Sequence, residues 1–155
     1  MEHKNILVYG YGNPGRQDDG VGPALAEKID ALNIPGVLTD SNYQLNVEDA
    51  LEIAKSRAVF FADASVDCSE PFSFEKVLPS NLIRFTTHTI SPDSLIALCN
   101  ELYGMNVPAY TLAVRGYSWE FNEPITDRAK SNMQEAFSFL VEKLTETQTG
   151  GCYGE

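Results

Sequence analysis

Apolar residues in this chain follow two alternating rhythms. Residues 6–9 form a short continuous apolar run, as expected of a strand covered on both faces. Val21, Leu25, Ile29 and Leu32 then recur at helical spacing, and residues 33–36 break that helix. Residues 37–45 read as a second strand. Asn46 is placed to cap a short helix through Ala50, Leu51, Ile53 and Ala54, with Glu48 and Asp49 in its first turn. Residues 58–62 form the clearest central strand, which delivers Asp63 at its carboxyl end. Residues 72–78 alternate apolar and polar positions, the pattern of an edge strand. Ser91, Pro92 and Asp93 predict a helix start, because a cap is followed by proline at the first helical position. Leu95, Leu98, Cys99 and Leu102 give that helix one apolar face, and Gly104 ends it. Residues 109–114 predict another strand. Thr126 opens a last helix with apolar positions Ala129, Met133, Ala136, Phe137, Leu140, Val141 and Leu144.

Strand alternating with helix predicts an α/β fold, a three-layer α/β/α sandwich around a mostly parallel sheet of about five strands. No internal repeat or linker divides the 155 residues. A single domain is expected over residues 1–145, with a frayed, glycine-containing tail over residues 146–155. In such folds ligands bind beyond the carboxyl ends of the strands, where the strand order reverses.

Composition narrows the partners. A net charge of −11 and a pI near 4.5 argue against nucleic acid or an anionic membrane. No apolar run approaches membrane-spanning length, and residues 1–5 lack the apolar segment of a signal peptide. Cys68, Cys99 and Cys152 are odd in number and form no C-x-x-C pair. That pattern speaks against a complete disulfide framework and against a thiolate zinc site, and the expected location is the reducing cytoplasm.

The densest information lies in residues 10–22, between the first strand and the first helix. Gly10, Gly12 and Gly15 match the G-x-G-x-x-G dinucleotide fingerprint, and Asp40 stands roughly where a ribose-binding acid would. Against this, Asp18 and Asp19 occupy the helix entry where a pyrophosphate should sit, and Arg16 alone cannot neutralise both. Paired acids suit a cation better. The plainer alternative is capping, since aspartate is a preferred N-cap and one of the two is expected to serve as one.

Asp18 and Asp19 follow strand one, Asp40 follows strand two, Asp63 ends strand three, and His88 precedes the Ser91 helix start. All could face one cleft. Two carboxylates and an imidazole can bind a borderline divalent cation and leave positions open for water or substrate, and Asp19, Asp63 and His88 are the best three. Each also has a structural reading: Asp63 as a partner of loop amides, His88 as a hydrogen-bonded histidine near the core. His3 is assigned no role.

The segment from Gly12-Asn13-Pro14 to Asp18-Asp19-Gly20 resembles the N-terminal signature of the NiFe-hydrogenase maturation endopeptidases. Phe60-Phe61-Ala62-Asp63-Ala64 is similar to that family's second acidic block. Residues 86–93, Thr86-Thr87-His88-Thr89-Ile90-Ser91-Pro92-Asp93, with Leu95 and Leu98, resemble its histidine block. The three blocks stand in the family's order and cover most of the chain to Tyr103. The resemblance implies a processing endopeptidase that removes a C-terminal extension from a hydrogenase large-subunit precursor after nickel insertion. It implies that Asp19, Asp63 and His88 contact the nickel, which the precursor supplies; another divalent cation could take its place in a crystal. Family members often carry Glu where this chain has Asp19, which keeps the charge and shortens the reach by one methylene. No H-E-x-x-H helix, G-x-S-x-G elbow or Cys–His pair offers a competing protease chemistry. Metal polarisation of the carbonyl, with water activation by Asp19 or Asp63, would be chemically reasonable. A hydrolase with a resident ion and a nucleotide- or metal-binding accessory module are the alternatives. Residues 115–123 match no family motif, and a specificity loop is one reading of them.

Overall fold

Consecutive apolar residues of each inner strand fill two separate cores, one on either face of a single sheet, which is why their runs read as unbroken. The computed structural model describes residues 4–86 and 89–148. In chain order the elements are β1 (Ile6–Tyr11), α1 (Val21–Asp30), β2 (Val37–Asn42), α2 (Ala50–Ala54), β3 (Ala58–Ser65), β4 (Phe72–Lys76), β5 (Phe85–Thr86), β6 (Thr89–Ile90), α3 (Pro92–Tyr103), β7 (Ala109–Arg115) and α4 (Asp127–Gln148). Single 3₁₀ turns at Gln17–Gly20 and Val47–Asp49 lead into α1 and α2.

Five strands form the main sheet in the order β2-β1-β3-β7-β4. The first four run parallel and β4 pairs antiparallel with β7. On one face Ile6, Val8, Phe60, Leu112 and Val114 pack under Leu25 and Ile29 of α1 and Ala136 and Leu140 of α4. On the other, Leu7, Tyr9, Val59, Phe61 and Ala109 meet Ile53 of α2 and Leu95, Ile96 and Cys99 of α3. This is the predicted three-layer α/β/α sandwich with its mostly parallel, five-stranded sheet. Burying these side chains is the principal stabilising term, at about 1.5–3 kcal/mol for each large apolar residue.

Helix α1 lies unusually close to β1. A Cβ placed on Gly10 would collide with the carbonyl oxygen of Gly22, and one on Gly22 would collide with the carbonyls of Tyr11 and Ala62. The two glycines therefore serve helix–strand contact, the packing role that the third glycine has in dinucleotide folds.

Several predicted boundaries shift. Strand β2 stops at Asn42 rather than residue 45, because the Asn42 side chain accepts a hydrogen bond from the Tyr43 amide (2.7 Å) and turns the chain. Leu45 still reaches the core, from a loop. Asn46 does head the predicted helix, through its amide bonded to Asp49 Oδ2 (2.9 Å), but the first turn is 3₁₀. Helix α3 starts after Ser91 with Pro92 in its first turn and ends at Gly104 with φ +67°, as read from the sequence. Helix α4 runs on through Thr145 to Gln148, past its predicted end, with Thr145 Oγ1 donating to the Val141 carbonyl (2.9 Å). Residues 146–148 of the expected tail are thus helical, and its remainder, residues 149–155, lies outside the described residues. The antiparallel hairpin β5–β6 was not legible, its strands being two residues each. Among the described residues no helix is long and apolar enough to cross a membrane.

Candidate functional site

In the order β2-β1-β3 the chain leaves β1 toward one side and later returns on the other, so the order reverses between β1 and β3. The turn after β1 carries Asp19, and the carboxyl end of β3 carries Asp63. The switch point thus places these two acids together, as the sheet rule requires.

The glycine-rich turn is closed by its own acids. Gly12 adopts φ +139°, and a Cβ there would strike the carbonyl oxygen of Asp19. Asp19 Oδ2 accepts the Asn13 amide at 2.8 Å, so a resident carboxylate already sits on a backbone N–H that a phosphate would need. Neither Asp18 nor Asp19 caps α1: the helix has no side-chain cap, and Gly20 stands at the N-cap position. The expected capping role is corrected by what Asp18 does instead.

Asp18 is fully buried. Its Oδ2 accepts the amides of Tyr117 (2.7 Å) and Ser118 (3.1 Å) and the hydroxyl of Thr126 (2.9 Å), and its Oδ1 accepts the Thr126 amide (2.8 Å). Four donors offset the cost of burying a carboxylate. Around this anchor the Asn122 amide donates to the Gly15 carbonyl (2.9 Å), Arg16 Nε to the Trp119 carbonyl (3.2 Å), and the Glu120 amide to Gln17 Oε1 (3.1 Å). The segment between β7 and α4 is therefore latched along the whole acidic turn. Sequence reasoning left residues 115–123 open, and it could not have found this latch, because the bonds from Asp18 cross 99–108 residues.

Asp63 is largely enclosed. Burial is the main force pushing its carboxyl up from the ordinary 3.8 to about 7; the nearby Asp19 charge adds to this, while hydrogen bonds from the Tyr11 hydroxyl and the Ala64 amide oppose it. A carboxyl poised near neutrality can take or give a proton at working pH. The shift also carries a stability consequence. Below the unfolded value near 3.8 both states hold the proton and burial costs nothing. As pH rises toward about 7, only the unfolded chain releases it, so stability falls across that window and then levels off. Three pH units at about 1.36 kcal/mol each set an upper limit of about 4 kcal/mol. In the chelator-treated protein, the stability gap between Asp63→Asn and wild type should widen from pH 4 to pH 7, measured by urea denaturation. A gap that does not change with pH would contradict this account.

Asp19 lies near enough to Asp63 for its charge to raise the Asp63 carboxyl. His88 lies outside the described residues, so the third member of the expected triad has no described geometry; His3 also lies outside. Among the described residues no cluster of three metal-ligating side chains forms. Asp40 is exposed on β2 and lines a cavity of about 580 Å³ between α1 and β2 with Pro23, Glu27 and Asp30, away from Asp63. Sequence reasoning missed Tyr11, although parallel pairing of Gly10 with Ala62 makes it the neighbour of Asp63.

Fold and site together define an α/β protein with two acids at a topological switch point and a latched acidic turn. No family model and no curated protein matches the sequence. Solved structures do. The NiFe-hydrogenase maturation protease HycI of Thermococcus kodakarensis aligns over 92% of this chain and 93% of its own, with a TM-score of 0.71 and 23% identity. The hydrogenase maturating endopeptidase HybD of E. coli aligns over 92% and 93%, at 0.72 and 18%. A hydrogenase 2 maturation peptidase from a Thaumarchaeota archaeon aligns over 91% and 98%, at 0.66 and 19%. The fold of this chain is that of the hydrogenase maturation proteases.

Proposed function

We propose that this chain is a processing endopeptidase of NiFe-hydrogenase maturation, cleaving a C-terminal extension from a nickel-loaded large-subunit precursor. The observation that carries this reading is the pairing of Asp19 and Asp63 at the switch point of a sheet shared, over nine-tenths of the chain, with proteins named for that activity. The sequence blocks around Asp19, Asp63 and His88 support the same reading independently of the coordinates.

Nickel is part of the substrate in this scheme. Two carboxylates and one imidazole form an incomplete shell, suited to engaging an ion whose other ligands come from elsewhere. Asp19 and Asp63 bind the cation side of the substrate, and His88 completes the protein's share. When bound, the nickel supplies Lewis acidity at the scissile carbonyl. Asp19 or Asp63 would be the carboxylate placed to take a proton from the attacking water. The enclosure of Asp63 limits competing solvent.

The test is cleavage of matched precursors with and without nickel. Purified protein should hold little metal, cleave the nickel-loaded precursor, leave the nickel-free one intact, and lose cleavage on His88→Ala. Efficient cleavage of nickel-free precursor, or tightly held stoichiometric metal with activity on small peptides, would instead favour a hydrolase with a resident ion.

A further inference from the structure

The last residue of β1 is a tyrosine, Tyr11. Tyr11 follows Gly10, which pairs with Ala62, so its side chain leaves the sheet on the same face as Asp63, one strand away. Its ring meets Phe61 edge-on, centroids 6.5 Å apart and planes at 80°, which fixes the phenol over the core. The parallel register sets its hydroxyl beside the Asp63 carboxylate, close enough for the two groups to interact. Phenylalanine would fill the same space. A half-buried tyrosine hydroxyl gains from a polar partner, and the Asp63 carboxylate is the one the register sets beside it.

We propose that Tyr11 is a positioning residue that locks Asp63 into the single side-chain rotamer needed to meet the substrate-borne cation; this rests on the endopeptidase reading only for the identity of that cation. A short carboxylate at a strand end has several staggered orientations available. Two groups act on this one: the amide of Ala64, which any residue except proline would supply, and the Tyr11 hydroxyl, which the sequence supplies specifically. A phenol hydroxyl keeps its proton throughout the neutral range, so it can serve as a donor to the carboxylate. Partners of this kind orient the groups that touch a metal, and their loss typically costs about 10–100-fold in affinity or activity.

The same strand carries an internal control. Tyr9, two residues earlier on the same face, donates its hydroxyl to Asp49 Oδ2 at 2.9 Å and ties β1 to the start of α2. Tyr9→Phe removes a bond of the same chemistry and has no link to Asp63. Two measurements test the proposal on isolated Tyr11→Phe, Tyr9→Phe and wild type. Three-bond Hα–Hβ couplings of Asp63 should report one rotamer in wild type and Tyr9→Phe, and averaging over several in Tyr11→Phe. With nickel-loaded precursor, Tyr11→Phe should lower kcat about 10-fold with KM within about twofold of wild type, while Tyr9→Phe leaves kcat within about twofold. An unchanged Asp63 rotamer in Tyr11→Phe would overturn the proposal, as would equal loss of kcat in both variants. If wild type itself fails to cleave that precursor, the endopeptidase reading falls, and the couplings alone decide the role of Tyr11.

Discussion

Asp63→Asn should reduce processing of nickel-loaded precursor at least about 100-fold, equivalent to about 2.7 kcal/mol of lost transition-state stabilisation, while leaving the protein folded. Asparagine keeps the size and most of the hydrogen-bonding shape of the side chain. It removes the anion that would face the metal, and with it a buried carboxyl held near neutrality. The same change relieves a buried acid of its desolvation cost, so the inactive variant should be the more stable one above neutral pH. Sites that trade stability for chemistry behave in this way. Single-turnover cleavage alongside urea denaturation measures both effects. A variant that keeps more than about a tenth of wild-type activity would remove Asp63 from the mechanism.

Asp18→Ala should be the most damaging single change to the fold near the site. It would strip the acceptor from three backbone amides and one hydroxyl in a place without solvent. Losing one partner of a buried charged network costs about 3–5 kcal/mol, a large part of the roughly 5–15 kcal/mol that holds a domain together. Asp18→Asn should be milder yet still harmful, because its NH₂ would face donors. The measurements are the denaturation midpoint and hydrogen exchange of the Tyr117, Ser118 and Thr126 amides, which should lose protection first. A loss below about 1 kcal/mol for the alanine variant would mean that water replaces the carboxylate without penalty.

The two neighbouring aspartates mark the limit of what the sequence could disclose. Sequence reading singled out both, and it correctly placed Asp63 at the end of a central strand, because the apolar run at residues 58–62 is unambiguous and strands deliver ligands at their carboxyl ends. It could not tell which of Asp18 and Asp19 turns inward. That depends on a 3₁₀ turn and on donors about a hundred residues away. The strand order, likewise, follows from how the two cores pack rather than from any local signal. Helix α3 was legible from Ser91 to Gly104 because each boundary carries its own chemistry, a cap with proline at one end and a left-handed glycine at the other. Strand β2 was overextended because Leu45 is apolar and buried although it belongs to a loop.

The latch on Asp18 also sets an order of events during synthesis. The acidic turn is made among the first twenty residues, yet the groups that satisfy its buried carboxylate come from Tyr117, Ser118 and Thr126. Until they have been added, the Asp18 carboxylate lacks the donors that offset its burial. A nascent chain, or one truncated before Tyr117, would therefore carry the acids of the site without the groups that seat Asp18. What is written first along the chain is finished last.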